Sequence, residues 1–390
     1  MQRRRFLQHG GIALAGLSSA LPGAALATED ASRFAEAPPL APIQARPDRI
    51  IAISVCTRPF RAAGPRIEVE RLGLRTLIHN YGHGGSGWSL SWGSAALAVQ
   101  MAQPMREKHD RRLAVIGCGA IGLTTALTAQ RAGWRVRILA RERPPEVRSS
   151  AATGVWSPES RLCAAVHATP AFADRWEAMA RHSFRIYQSL LGLPGHPVEW
   201  RDGYVLSDQP FGQGGSGEDD GEPEYSEMES ERLRDLRPRS QTLSAGQHPF
   251  PVPFARRYTQ LMFNLGAYSR LLMDDFLRNG GEIETRGFTS PRQFASLKEK
   301  TIVNATGYGA RALLGDESII PVRGQTARLI PQAEVDYGIT YVGHNLSVVP
   351  RRDGILVQAQ AKGDFGNADA TPDRAASEAA VARLAALFVK

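Results

Sequence analysis

Cysteine is scarce. The 390-residue chain has three, Cys56, Cys118 and Cys163. That is too few for a disulfide framework, and no cysteine–histidine cluster has zinc spacing, so no metal is expected. Long apolar runs are missing too. Once the first residues are set aside, no stretch reaches the roughly 20 residues that span a bilayer. There is no internal repeat. Basic residues outnumber acidic ones, for a formal charge of +8, but the excess is dispersed, without a basic tail or interleaved aromatics. That argues against nucleic-acid binding and favours anionic small substrates. What the chain does have is glycine (38) and proline (25), as an α/β protein with many tight turns requires. Its length allows one large two-lobed unit or two domains.

The first residues read as an export leader. Arg3-Arg4-Arg5-Phe6-Leu7 matches the twin-arginine pattern R-R-x-F-L, and an apolar stretch follows from Gly10 to Ala25. Ala25-Leu26-Ala27 has the small-x-small form of a cleavage site. Residues 1–27 are therefore expected to direct the protein to the periplasm, and their loss lowers the charge from +8 to +5 as Arg3, Arg4 and Arg5 leave. Residues 28–47, with Pro38-Pro39, Pro42 and Pro47, read as a linker.

Leu113 to Ile116 reads as a strand, Ala120 to Arg131 as a helix stopped at Gly133, and Trp134 to Ala140 as a second strand. Between the first two lies Gly117-x-Gly119-x-x-Gly122. The first glycine permits the turn, the second lets a pyrophosphate approach the backbone, and the third allows helix to pack on strand. Glu142, twenty residues after Gly122, stands where a carboxylate can accept from ribose hydroxyls. This is a dinucleotide-binding unit, and the motif alone does not separate NAD from FAD.

Upstream, Arg49 to Val55, Arg66 to Glu70 and Leu74 to His79 read as strands. The last enters a glycine-rich turn, and Gly93 to Met101 reads as the helix leaving it. Gln103 to Arg112 is a polar surface connection. Downstream, helices are expected over 172–191, Tyr268 to Leu277 and Arg374 to Phe388. Strands are expected at Tyr204 to Leu206, at Lys300 to Asn304 and through 319–358. Gln209 to Glu231 holds eight acids and five glycines. It reads as a mobile surface insertion or a gating loop.

Several of these segments resemble the D-amino-acid oxidase family of FAD-dependent amine oxidoreductases. Leu139-Ala140-Arg141-Glu142 is similar to its L-A-R-D, and Ser149-Ser150-Ala151-Ala152-Thr153-Gly154-Val155-Trp156 resembles the segment beneath the flavin. Val303-Asn304-Ala305-Thr306-Gly307 and Pro321-x-Arg323-Gly324-Gln325 have counterparts there, as does Asn80-Tyr81-Gly82-His83-Gly84-Gly85-Ser86-Gly87. In that family the G-x-G-x-x-G turn opens the chain and N-Y-G-H-G-G nearly closes it. Here the order is reversed, so the sequence looks like a circular permutant, with Gln103–Arg112 bridging the family's own termini.

The resemblance implies an α/β fold: a Rossmann-like FAD-binding domain (48–160 and 255–312) plus a mixed β-sheet substrate domain (161–254 and 313–390). FAD is the implied cofactor. It would meet Gly117, Gly119, Ala120, Ile121 and Gly122, then Arg141 and Glu142, and the run Ser149, Ser150, Thr153, Gly154 and Val155. Thr306 and Gly307 would join from one side, and Gly84, Gly85, Ser86, Gly87, Trp88 and Ser89 from the other. Arg58, in Thr57-Arg58-Pro59-Phe60-Arg61, resembles the arginine that grips the substrate carboxylate, a task suited to two parallel N–H donors.

The chain departs from the family at Ser347-Val348-Val349-Pro350, where the family's Y-I-I-P has a substrate-holding tyrosine, and at Ala359-Gln360, where it has paired glycines. Tyr341 and His344 stand nearby as replacement hydrogen-bonding residues. The implied chemistry is oxidation of the C–N bond of a small amino acid or amine, with hydride passing to flavin N5, hydrolysis of the imine, and O2 reoxidising the flavin to give H2O2. Two alternatives stay open: a dehydrogenase using another electron acceptor, and a catalytically silent flavin-binding protein. The oligomeric state is not legible.

Overall fold

The computed structural model describes residues 39–106, 111–212, 221–359 and 361–388. The leader 1–27 lies outside them. All the elements below belong to the unit Leu40–Lys390, and their strands form two sheets.

The first sheet has six strands in the order β2 (Arg66–Leu72), β3 (Arg75–Tyr81), β10 (Thr301–Asn304), β4 (Arg112–Ile116), β5 (Arg135–Ala140) and β9 (Glu282–Thr285). Neighbours run parallel except β2 and β3. Every residue of β10 is buried, as are Leu113 to Ile116 of β4, as a parallel sheet covered on both faces requires. One face is covered by α1 (Gly87–Ala102), α2 (Ala120–Arg131), α3 (Pro170–Gln188) and α5 (Leu265–Arg278) around Trp92, Leu123, Trp176 and Tyr268. The other meets Phe294 and α6 (Ala310–Leu314).

The second sheet has eight strands in the order β1 (Ile50–Arg61), β11 (Ile319–Leu329), β14 (Gly354–Ala359), β13 (Leu346–Arg351), β12 (Tyr337–Tyr341), β6 (Val198–Ser207), β8 (Phe254–Phe263) and β7 (Gln241–Leu243). Alternation along its strands separates two faces. Val348 and Val357 join a core with Val381 and Leu384 of α7 (Arg374–Ala385), while their neighbours Ser347 and Gln358 face a cavity. The short α4 (Glu229–Arg232) completes the helices among the described residues.

Several expectations are corrected. β1 runs twelve residues, well past Val55 and through Pro59; it is an edge strand, where the missing proline N–H need not interrupt the ladder. β1 and β8 belong to the eight-stranded sheet. α1 starts at Gly87, not Gly93, because Trp88 and Trp92, one turn apart, both bury against Tyr268. The Trp92 Nε1–H donates to the Tyr268 hydroxyl at 2.7 Å, and the Trp88 ring lies 5.3 Å from the Tyr268 ring.

The linker expectation fails from Leu40 onward. Ile43 and Ala45 are buried in the α7 core, and the Tyr337 hydroxyl donates to Ala41 O at 2.6 Å.

Gly93 marks the crossing of α1 and α3, where a β-carbon would run into the Met179 backbone. Alanine favours a helix over glycine by about 1 kcal/mol, but forced overpacking costs about 1–3 kcal/mol. Gly93→Ala should therefore lower stability to urea by about 1–2 kcal/mol; a more stable variant would refute the close crossing.

Candidate functional site

A cavity of about 2790 Å3 opens on the ends of β4, β5 and β10 and on the polar face of the eight-stranded sheet. Ligand sites for drug-sized molecules span about 300–1,000 Å3, so there is room for a dinucleotide and a substrate together.

At its centre β4 runs into Gly117 (φ 112°), and a β-carbon there would sit 2.5 Å from Ala305 O. Only glycine lets the two strand ends meet. The N-cap residue of α2, Gly119, has no side chain to cap the helix, which begins at Ala120. The Ala120 N–H donates to Ser149 Oγ at 3.1 Å. The other first-turn amides, with the positive end of the helix dipole, are suited to an acid oxygen.

A second helix, α1, ends on the same cavity and also lacks a side-chain cap. Its glycine turn is pressed onto residues 157–162: Gly84 (φ 55°) has no room for a β-carbon beside Arg161 O. The Gly85 N–H donates to Ser160 O at 2.9 Å, and Ser86 Oγ to the same oxygen at 3.1 Å.

Most residues expected at the cofactor line this cavity. Gly117, Gly119, Ala120 and Ile121 do, as do Arg141, Glu142, Ser149, Thr153, Thr306 and Gly307; so do Gly84, Gly85, Gly87 and Trp88. Six expected residues stand behind the wall. Gly122 packs on Gly117 O, and Gly154 lies against Phe263 O. Val155 bridges to Met262. Ser86 is tied to Ser160, Ser89 Oγ accepts from the Ser157 N–H at 2.8 Å, and Ser150 Oγ is buried. Glu142 is ion-paired to its neighbour Arg141 at 2.8 Å.

Arg58 lies on β1 opposite Val322. Its guanidinium folds back over Gly324, where any side chain would displace it, and donates to Arg323 O at 2.8 Å. Burial pulls its pKa down, partly offset by the nearby Asp364 and Glu222. Among the described residues no carboxylate stands within ion-pair distance of it. A cation held this way on a cavity wall is suited to an anionic ligand.

Ser347 faces the cavity from β13, across from Thr340 and Gln358. Tyr341 and His344 line it as well but are already engaged. Both bind Asp208, the phenol donating to Oδ1 at 2.9 Å and His344 Nε2 lying 2.7 Å from Oδ2; their rings are 4.0 Å apart. The His344 and Tyr341 hydrogen bonds hold the Asp208 carboxyl below its usual range. Asp208 was missed because nothing in sequence links it to residues 341–344.

The acidic segment is not a free surface insertion in its described part. Glu222 takes Arg161 bidentately at 3.0 and 3.1 Å. Glu159 accepts the Met228 and Glu229 N–H groups at 2.6 and 2.7 Å. Tyr225, another residue missed from sequence, lines the cavity edge-on to Phe60 at 5.4 Å. Within the segment's described part Glu222 meets Arg161 and Glu229 meets Arg237; residues 213–220 lie outside the described residues.

The fold and this site define a dinucleotide-binding α/β protein with a cationic ligand pocket. Residues 112–390 match the family model for FAD dependent oxidoreductases. The chain belongs to that family, and FAD is its cofactor. It is similar to a D-amino-acid oxidase of Rubrobacter xylanophilus, 28% identical over 73% of this chain and 79% of that one. A D-amino-acid oxidase of Streptomyces coelicolor is 29% identical over 74% and 81%. Among solved structures, an L-amino acid deaminase from Proteus vulgaris aligns with TM-score 0.47 at 15% identity, covering 71% of this chain and 73% of that one.

His83, also missed, is buried beside the glycine turn, and neither ring nitrogen has a partner among the described residues. Burial pulls its pKa down to about 3, so the folded protein holds it neutral while the unfolded chain protonates near 6.5. Between those values the unfolded state binds the extra proton. Stability should therefore fall on acidification from about pH 6.5 by up to about 1.4 kcal/mol per unit. Urea unfolding at pH 7, 6 and 5 should show this slope reduced in His83→Phe; equal slopes would count against a buried neutral imidazole.

Proposed function

We propose that the protein oxidises the C–N bond of a small amino acid or amine. The observation that carries this is Arg58, a partly desolvated guanidinium without a carboxylate partner among the described residues, on the wall of the cavity into which the dinucleotide turn opens. Its two N–H donors suit a substrate carboxylate and fix the substrate's orientation. The two uncapped helix ends would hold the cofactor, with Ser149, Thr153 and Thr306 around it and Glu142 toward a ribose. FAD bound there supplies a two-electron acceptor for the α-hydrogen taken as hydride, with O2 as the final oxidant giving H2O2. The substrate leaves as an imine and takes up water to give the carbonyl product and ammonia.

Anaerobic mixing with a panel of D- and L-amino acids and amines should bleach the flavin for at least one. No bleaching anywhere, with FAD bound, would sink the substrate class. Arg58→Ala should lower kcat/KM about 10–100-fold, the worth of a charged hydrogen-bonded contact. Oxygen uptake with peroxide release identifies O2 as the acceptor; bleaching without it identifies a dehydrogenase.

We also infer two properties of the chain as a whole. Residues 1–27 act as a twin-arginine leader delivering the folded holoprotein to the periplasm. Replacing Arg3 and Arg4 with lysine should leave it in the cytoplasm on fractionation. The chain is also a circular permutant of its family, a reading supported by the contact of Pro47–Arg49 with α7. A gene moving residues 40–106 behind Phe388 should yield a folded protein that retains FAD; an insoluble product that binds none would count against the permutation.

A further inference from the structure

Among the described residues, six arginines line the cavity: Arg58, Arg141, Arg148, Arg161, Arg286 and Arg311. Four are satisfied by the protein itself. Glu222 holds Arg161, Glu142 pairs with Arg141, Arg286 reaches Glu284, and Arg311 donates to the carbonyls of Glu317 and Ile319. Arg58 has a single backbone acceptor. Arg148 has neither a side-chain hydrogen bond nor a carboxylate within ion-pair distance among the described residues. Its guanidinium lies over the Tyr308 ring, 4.8 Å from the centroid, which steadies it while leaving its donors free.

Arg148 and Arg58 belong to one corner. The Cys56 thiol points at Arg148 O, 3.9 Å away, and Cys56 shares a face of β1 with Arg58. Both guanidiniums act on that thiol, opposing the rise that burial imposes on it. Arg58 is half-buried and Arg148 is exposed on the cavity wall, so an anion reaching both would meet two cations that no carboxylate neutralises among the described residues.

We propose that Arg148, stacked on Tyr308, is a second anion grip of the substrate pocket, and that the substrate is a short amino dicarboxylate with one carboxylate on Arg58 and the other on Arg148. This rests on the reading of the pocket as a site of C–N oxidation. An oxyanion on Arg148 has one other source, the pyrophosphate of FAD, because the next residue, Ser149, touches the start of α2.

The test uses the FAD-loaded protein and a readout that needs no turnover: the flavin absorbance change on titration with succinate and, separately, with butyrate. Succinate should bind at least ten-fold more tightly. Arg148→Gln should remove that preference while leaving butyrate binding and the Kd for FAD unchanged, and Arg148→Lys should keep part of it. In anaerobic mixing, aspartate or glutamate of one configuration should bleach the wild-type flavin faster than alanine does, and Arg148→Gln should lose the advantage.

Equal binding of succinate and butyrate by the wild type would overturn the proposal. So would a succinate preference that survives Arg148→Gln, and a weakened Kd for FAD in that case would assign the arginine to the pyrophosphate. Absence of bleaching by every amino compound, with succinate preference present and lost in Arg148→Gln, would instead overturn the C–N oxidation reading and leave the dicarboxylate grip standing.

Discussion

At Gly84 and Gly117 the chain brings backbone against backbone where a single methyl group would not fit. Gly84 meets Arg161 O, and a β-carbon at Gly117 would lie 2.5 Å from Ala305 O. Each contact joins segments far apart in sequence, and each brings a helix N-terminus to the cavity. The cavity is consequently walled at its centre by peptide groups, whose amide donors and dipoles are fixed before any ligand arrives. Rotamer changes cannot close it. The aromatic core of Trp88, Trp92 and Tyr268 behind α1 keeps that helix end in place.

Around this frame most charges cancel locally. Arg161 is matched by Glu222, and Asp208 is clasped by Tyr341 and His344. The end lined by Arg58 and Ser347 is different. Ser347 on β13 is in register with Gln358 on β14, Thr326 on β11 and Ser54 on β1, three strand spacings or about 14 Å away, and Arg58 stands four residues further along β1. A tyrosine on β13, as in the resembled family, would reach far into that gap; a serine hydroxyl does not.

What the sequence made legible was whatever is local. The Gly117–Gly122 turn, with its strand and helix, needs only neighbouring residues to specify it, and α2 spans Ala120–Arg131 as expected. Arg58 was legible through its resemblance and does face the cavity. What stayed hidden depends on long-range pairing. The Asp208 link to Tyr341 and His344 crosses from β6 to β12, and Glu222 finds Arg161 across 61 positions. Alternating acids and glycines in residues 209–231 resemble a solvated loop until their partners are known. The burial of Ile43 and Ala45 was hidden for the same reason: proline content argued for a linker, whereas the apolar residues between the prolines found the α7 core.

The proposed rearrangement of the chain asks two things of the fold: the old ends must be bridged, and the new ones must fall where a break costs little. α1 and β4 are neighbours around the first sheet, so the bridge joins two elements of one layer. At the other end, Pro47–Arg49 touches α7, and Ile43 and Leu384 share one core. An intact link there would be short, and its absence breaks no strand pairing: β1 still pairs with β11 from Ile50 to Arg61. The loop entropy lost or gained on moving such a connection grows only slowly with its length. Gly117 and Ala305 lie on the same side of both junctions, and Gly84 and Arg161, on opposite sides of the bridge, meet through folding and not through chain order. Chain order can therefore change while the site, which depends on those contacts, does not.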